Sequence, residues 1–149
     1  MNEFIITKVN HLETYKLTRL LEESTSEEFR HLKRLVADYE AGTNRFDGVG
    51  EALFIAVING DIVGVCGLNQ DPYAGSKAVG RVRRLYVLAS VRRFGIGRLL
   101  MDSVIAEAKN YYQLLVLKTD NPNADLFYHS IGFSNMADSE NDTHFLKLS

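Results

Sequence analysis

The residues best placed to do chemistry lie between Arg81 and Tyr111. There Arg92-Arg93-Phe94-Gly95-Ile96-Gly97-Arg98 joins an apolar strand pattern, Val82 to Leu88, to a helical pattern that runs on through Leu99-Leu100-Met101-Asp102-Ser103-Val104. Gly95 and Gly97 have no Cβ, so the backbone can bend sharply here and come close to a ligand. A helix that starts at this point presents N–H groups without intrahelical acceptors and the positive end of its dipole. The combination is an anion site, and phosphate is its usual occupant. Arg92, Arg93 and Arg98 can add charge-assisted contacts, although exposed arginines at a helix start also serve simply as solubilising residues. Two nucleotide readings fail at this turn. A dinucleotide fingerprint needs a third glycine where Leu100 stands, and a P-loop needs Lys followed by Ser or Thr where Arg98-Leu99 stands.

The other reactive side chains are less organised. His11, His31, His129 and His144 show no metal-ligand spacing, and the single Cys66 offers no second thiolate, so no metal is expected. His129 is expected to be structural or exposed. Cys66 lies in the apolar run Val63 to Leu68 and reads as a small core side chain. One cysteine excludes an internal disulfide and fits a reducing compartment.

These residues need a scaffold, and the patterning supplies one. Phe4 to Val9 reads as a strand. Asn10, three residues before Glu13, reads as a helix start, with Leu12, Tyr15, Arg19 and Leu20 outlining a first helix. Ser24-Thr25-Ser26-Glu27-Glu28 reads as the start of a second, carrying Phe29, Leu32, Leu35, Val36 and Tyr39 on one face and stopped by Gly42. Leu53 to Ile58 and Ile62 to Leu68 flank Asn59-Gly60-Asp61, a strong hairpin signal. In the helix after Gly97, Ile96, Leu100, Val104, Ala108 and Tyr111 form one stripe. Leu114 to Leu117 is an apolar run suited to a strand covered on both faces. Asn121-Pro122-Asn123 opens a short helix, Ala124 to Ile131, which Gly132 stops, and Phe145 to Leu148 reads as a last strand. This order predicts one α/β (α+β) domain over residues 1–149, with a mixed, mostly antiparallel sheet between helices and one strand-crossover-strand unit.

Composition sets outer bounds. The chain has 149 residues, 46% hydrophobic and 24% charged, with a formal net charge of −2. That is ordinary for a soluble globular protein and gives no electrostatic reason to expect nucleic acid. The start lacks signal-peptide character, and no run approaches the ~20 apolar residues of a membrane span. A cytoplasmic protein without a membrane partner is expected.

Taken together, Leu53 to Phe133 resembles the GNAT superfamily of acyl-CoA-dependent N-acetyltransferases. The resemblance is most specific at Leu85-Tyr86-Val87 followed by Arg92-x-x-Gly95-x-Gly97, similar to the family's pyrophosphate loop. It is specific again at Asn121-x-x-Ala124-x-x-x-Tyr128 closing with Ile131-Gly132-Phe133. What it implies is an acetyl transfer from acetyl-CoA to a primary amine of a small molecule or peptide, on a sheet splayed between its fourth and fifth strands. It also leaves a homodimer open. Coenzyme A would be held by main chain near Leu85, Tyr86 and Val87, by the turn of Arg92, Arg93, Phe94, Gly95, Ile96, Gly97 and Arg98, and by Asn121. Tyr128 would protonate the leaving thiolate, or else be a core aromatic beside Phe127 and Phe133.

Departures from the family pattern concern the base. Many relatives carry an acid where Arg81 stands, and Glu51, Asp71 and Tyr73 read as surface residues of loops bordering the acceptor cleft. Ala89 replaces a frequent proline, Arg93 a frequent glycine and Phe94 a frequent basic residue. The alternative implied is a catalytically weak or inactive GNAT-like module that binds acyl-CoA as a regulatory ligand. The acceptor cleft would be built from Glu22 to Ser26, Thr43 to Glu51 and Asn69 to Ala78.

Overall fold

The sheet grows from the Asn59-Gly60 turn. Both residues adopt positive φ, 50° and 84°, the two left-handed positions of a tight hairpin turn whose twist matches its strands. It joins β2 (Ala52–Ile58) to β3 (Asp61–Gln70). The computed structural model describes residues 4–27 and 31–148. Around the hairpin are β1 (Phe4–Lys8), a 3₁₀ turn (Thr14–Leu17), α1 (Thr18–Ser26) and α2 (His31–Ala41). Following it are β4 (Val79–Val87), a second 3₁₀ turn (Ala89–Phe94), α3 (Ile96–Ala108), β5 (Leu114–Leu117), α4 (Pro122–Ser130), β6 (Ser134–Asn135) and β7 (His144–Lys147). The seven strands run β1-β2-β3-β4-β5-β7-β6. Every pairing is antiparallel except β4 with β5.

Cross-strand pairs assign the layers. Val65 pairs with Tyr86, whose hydroxyl reaches α1, whereas Gly64 pairs with Val87, and a Cβ on Gly64 would touch Leu100 and Ile96 of α3. Neighbouring strand residues point to opposite faces, so α1 and α3 cover opposite sides of the sheet, with α2 packed on α1 and β4. Ile96, Leu100, Met101, Val104 and Ala108 are all buried on the α3 side. Met101 had no place in the expected stripe, yet its sulfur lies 3.8 Å from that of Cys66. Burial pushes the Cys66 thiol well above its ordinary range, as befits an inert core residue.

Three expectations need correction. Ser24, Thr25 and Ser26 do not open α2; their hydroxyls donate to the carbonyls of Leu21 and Glu23 and close α1. Glu28 and Phe29 lie outside the described residues. Asn10 caps nothing, since the first helical turn begins after Glu13 and without a side-chain cap. Tyr111 is exposed, because the chain leaves the helix at Ala108 and places Tyr112 inside instead, its hydroxyl donating to the Gly50 carbonyl at 2.7 Å.

Candidate active site

β4 carries two irregularities. Its parallel pairing with β5 runs only through Val79↔Leu114, Gly80↔Leu115 and Arg81↔Val116. From Val82 to Val87 it continues beside β3 while the fifth strand falls away, which is the expected splay. The register on its other edge also shifts: Val65 faces Tyr86 and Gly67 faces Arg83. Arg84 and Leu85 therefore stand against Cys66 alone, a β-bulge, with Arg84 at φ 63°. A left-handed arginine costs on the order of 1–3 kcal/mol and persists only where surrounding structure imposes it. Its guanidinium is largely buried 4.0 Å from Asp38, and its Nε has no hydrogen-bond partner among the described residues.

Beyond β4 the chain makes its second 3₁₀ turn and reaches Gly95, left-handed at φ 77°. A Cβ there would meet nothing within 4 Å, so it is the dihedral and not crowding that calls for glycine. Among the described residues no side chain caps the α3 N-terminus that follows. Arg93, Phe94, Gly95 and Arg98 are exposed around it, Gly97 is half-buried, and buried Ile96 anchors the first turn. The expected turn into a helix start is thus formed. Arg92 leans away from it. Its Nε donates to the Val87 carbonyl (2.9 Å), its Nη2 to Glu27 (2.7 Å), and its guanidinium lies 5.3 Å from the Tyr86 ring centre.

This reveals a network that linear reading missed. Tyr86 places its hydroxyl 2.8 Å from a Glu23 oxygen and 2.5 Å from a Glu27 oxygen, and Glu23 also accepts the Ala89 N–H. Burial, then the two carboxylates, push the Tyr86 hydroxyl far above its ordinary range. Arg92, then Tyr86, hold Glu27 below the usual carboxylate value. Glu23 on the last turn of α1 and Glu27 at its C-cap are four residues apart, a spacing that was visible; nothing in the sequence showed that β4 would meet them.

The second predicted segment is also formed. The Asn121 side chain caps α4, accepting the Asn123 N–H at 2.9 Å. Tyr128 is buried, with edge-on contacts to Phe127 and Phe133 at 5.2 and 5.5 Å between ring centres. No described residue hydrogen-bonds its hydroxyl. Burial raises its pKa strongly, so this hydroxyl stays protonated.

Of Glu51, Asp71 and Tyr73, all expected on loop surfaces, Tyr73 is exposed, whereas Asp71 and Glu51 are tied into the structure. Asp71 is buried, not exposed, and accepts from Arg81 Nε at 2.7 Å. Arg81, itself buried, also donates to the Asn141 carbonyl and to Asp142, and stacks on exposed Tyr73. It therefore clamps the β3–β4 and β6–β7 loops together. Glu51 accepts from Asn69 (2.6 Å) and from the Gly48 N–H. It lines a groove of about 310 Å³ together with Asp38, Asn44, Arg45, Asn69 and Arg83.

The sequence model of the acetyltransferase (GNAT) domain matches residues 49–135, more than half of the chain and the span that holds β4, its turn and Tyr128. The chain belongs to the GNAT family. A provisionally assigned acetyltransferase from Exiguobacterium sp. 255-15 is 31% identical over 97% of this chain and 93% of its own, with a TM-score of 0.87. PH1933 from Pyrococcus horikoshii OT3 is 21% identical over 97% and 98%, at a TM-score of 0.73. A GNAT family N-acetyltransferase from Escherichia coli, solved in complex with CoA, is 16% identical over 100% and 83%, at 0.77. No curated protein matches. The GNAT fold accounts for the single parallel pair within an otherwise antiparallel sheet. Among the described residues, no helix is long and apolar enough to cross a membrane.

Proposed function

We propose that this GNAT protein transfers an acetyl group from acetyl-CoA to a primary amine of a small molecule or peptide by direct attack. The observation that carries the reading is the course of β4: it leaves β5 after Arg81, bulges at Arg84 and runs into an uncapped helix start. The residues present fit the cofactor. Backbone from Val82 to Tyr86 is unpaired with β5 and suits an extended arm along that edge, in the manner of strand addition, while the Val87 carbonyl is taken by Arg92. The N–H groups following Gly95 suit a diphosphate, with Arg93 and Arg98 exposed beside them. Acetyl-CoA, the family's cofactor, supplies the activated thioester. Tyr128 holds a proton on its hydroxyl for the departing sulfur.

One observation favours a second reading. The carboxylates that reach β4 among the described residues are engaged, Asp71 and Asp142 by Arg81, Glu23 and Glu27 by Tyr86 and Arg92, and Asp38 by Arg84. An alkylamine is mostly protonated near neutrality, and without a free base the domain would hold acyl-CoA as a regulatory ligand. Thiol release from acetyl-CoA across a panel of small amines and peptides separates the two. Transfer to at least one acceptor is expected; saturable binding with no transfer to any would favour the second. In the active protein Tyr128→Phe is expected to lower turnover by roughly 10²–10⁴-fold with cofactor affinity retained. Unchanged turnover would return Tyr128 to the core.

A further inference from the structure

Histidines with no ligand spacing along the chain meet in space. Asp125 and His129 stand one turn apart on α4, and β7 brings His144 against them. His144 Nε2 lies 2.6 Å from Asp125 Oδ1, and His129 Nε2 lies 3.6 Å from the same oxygen. One nitrogen or oxygen from each of the three falls within 4.8 Å of the others. The geometry points to a site for one divalent transition-metal ion of the zinc class, held by two imidazoles and a carboxylate. Metal–ligand bonds of about 2.0–2.2 Å in a tetrahedron place ligand atoms about 3.3–3.6 Å apart, and the observed distances, from 2.6 Å to at most 4.8 Å, span that range. Imidazole and carboxylate together suit zinc and its borderline neighbours better than calcium or magnesium.

The surroundings support the ligands as a metal site requires. His144 Nδ1 lies 2.8 Å from Thr143 Oγ1, which also accepts the Thr119 N–H at 2.9 Å and stands 3.5 Å from the Leu117 carbonyl. Without an ion Nε2 donates to Asp125; when an ion takes the place of that proton, Thr143, its hydroxyl turned toward Leu117, accepts the Nδ1 proton and the Nε2 lone pair faces the ion. The amide of Asn135 donates to Asp125 Oδ1 at 3.1 Å and fixes the carboxylate. His144 is 2% exposed, whereas the His129 and Asp125 side chains are 41% and 38% exposed. One ligand is thus anchored in the protein and two open a path for the ion. Tyr128 sits between these helix positions, its ring centre 5.8 Å from that of His144, so the ion would brace the turn that carries it. The site stands whether or not acetyl transfer occurs.

A plain His144–Asp125 hydrogen bond joining α4 to β7 would need no His129, which makes His129 the discriminating residue. Zn²⁺ is titrated by calorimetry into untagged, chelator-treated protein, and Co²⁺ by its visible absorption. The expected result is one ion per chain, with His129→Ala and Asp125→Asn each weakening Zn²⁺ by about 100-fold and Thr143→Val by about 10-fold, the range that metal sites show when their supporting residues are lost. His129 is exposed, so its variant should keep the wild-type circular dichroism. Absence of stoichiometric binding in the wild type, or equal affinity in His129→Ala, would overturn the site.

Discussion

The two ends of β4 are built by different means. Toward its C-terminus the features suited to a ligand are backbone: a bulge at Arg84, a free strand edge, a left-handed Gly95 and uncapped N–H groups on α3. Toward its N-terminus they are side chains drawn from far apart, with Arg81 holding Asp71, Asn141 and Asp142, and Glu51 holding Asn69. A backbone device is local and tolerates changes in nearby side chains, which is why Ala89, Arg93 and Phe94 can depart from the family pattern without removing it. A side-chain clamp has no such tolerance, because each partner is buried on account of the others. The two ends should therefore fail differently: the C-terminal end loses its proposed ligand while the fold survives, and the N-terminal end loses stability.

The largest effect is expected at Gly97. A Cβ there would meet Phe127 at 3.5 Å and Val87 at 3.9 Å, ordinary contact distances. Gly97→Ala should bind acetyl-CoA nearly as the wild type does, while the indole of Gly97→Trp fills the space in front of the α3 N–H groups. Loss of at least about 100-fold in acetyl-CoA affinity by calorimetry is expected, the scale of misplacing a bound group by about 1 Å, with circular dichroism unchanged. Retained affinity in Gly97→Trp would detach the turn from the diphosphate.

The opposite failure belongs to Arg81. Its side chain is 6% exposed and that of Asp71 1%. Removing the cation leaves a buried carboxylate without a counter-charge, which costs about 3–5 kcal/mol. For a chain of this size Arg81→Leu should lower the melting temperature by roughly 10 °C. Arg81→Leu with Asp71→Leu should recover most of that, since replacing both partners of a buried pair is often neutral. A single variant that melts with the wild type would make Arg81 a surface residue in effect and erase the contrast between the ends.

The same contrast explains what was legible. Gly95 and the Asn59-Gly60 turn each carry their conformational demand in their own residue type, so the turn before α3 and the hairpin could be read directly. The splay of β4 from β5 followed from family resemblance alone, since no residue pattern distinguishes a strand edge left open from one that is paired. Asp71 looked like a loop acid because its partner, Arg81, stands across a turn and its burial depends on Asn141 and Asp142, residues in a stretch without periodicity. Hydroxyls at Ser24 to Ser26 were ambiguous for a related reason: the same side chains cap a helix start or bond back to the preceding turn.

The smallest effect tests how closely α2 is tied to the bulge. At the start of α2, burial and then the Arg84 cation hold the His31 imidazole down at about 4, against an ordinary value near 6.5. Between those values the unfolded chain binds a proton that the folded chain refuses. Stability contributed by His31 is therefore complete above about pH 6.5 and declines as pH falls toward 4. Glu27, held below 4.5 by Arg92 and Tyr86, loses its own contribution only below that value, so the windows barely overlap. Melting temperatures measured stepwise from pH 7 to pH 4 should fall more steeply in the wild type than in His31→Asn, with the curves converging in slope above pH 6.5. Parallel curves throughout would mean that the imidazole protonates as freely in the folded chain as outside it. The side of β4 opposite α3 would then admit water around Arg84, and the arginine's left-handed backbone would lack the dry packing that holds it.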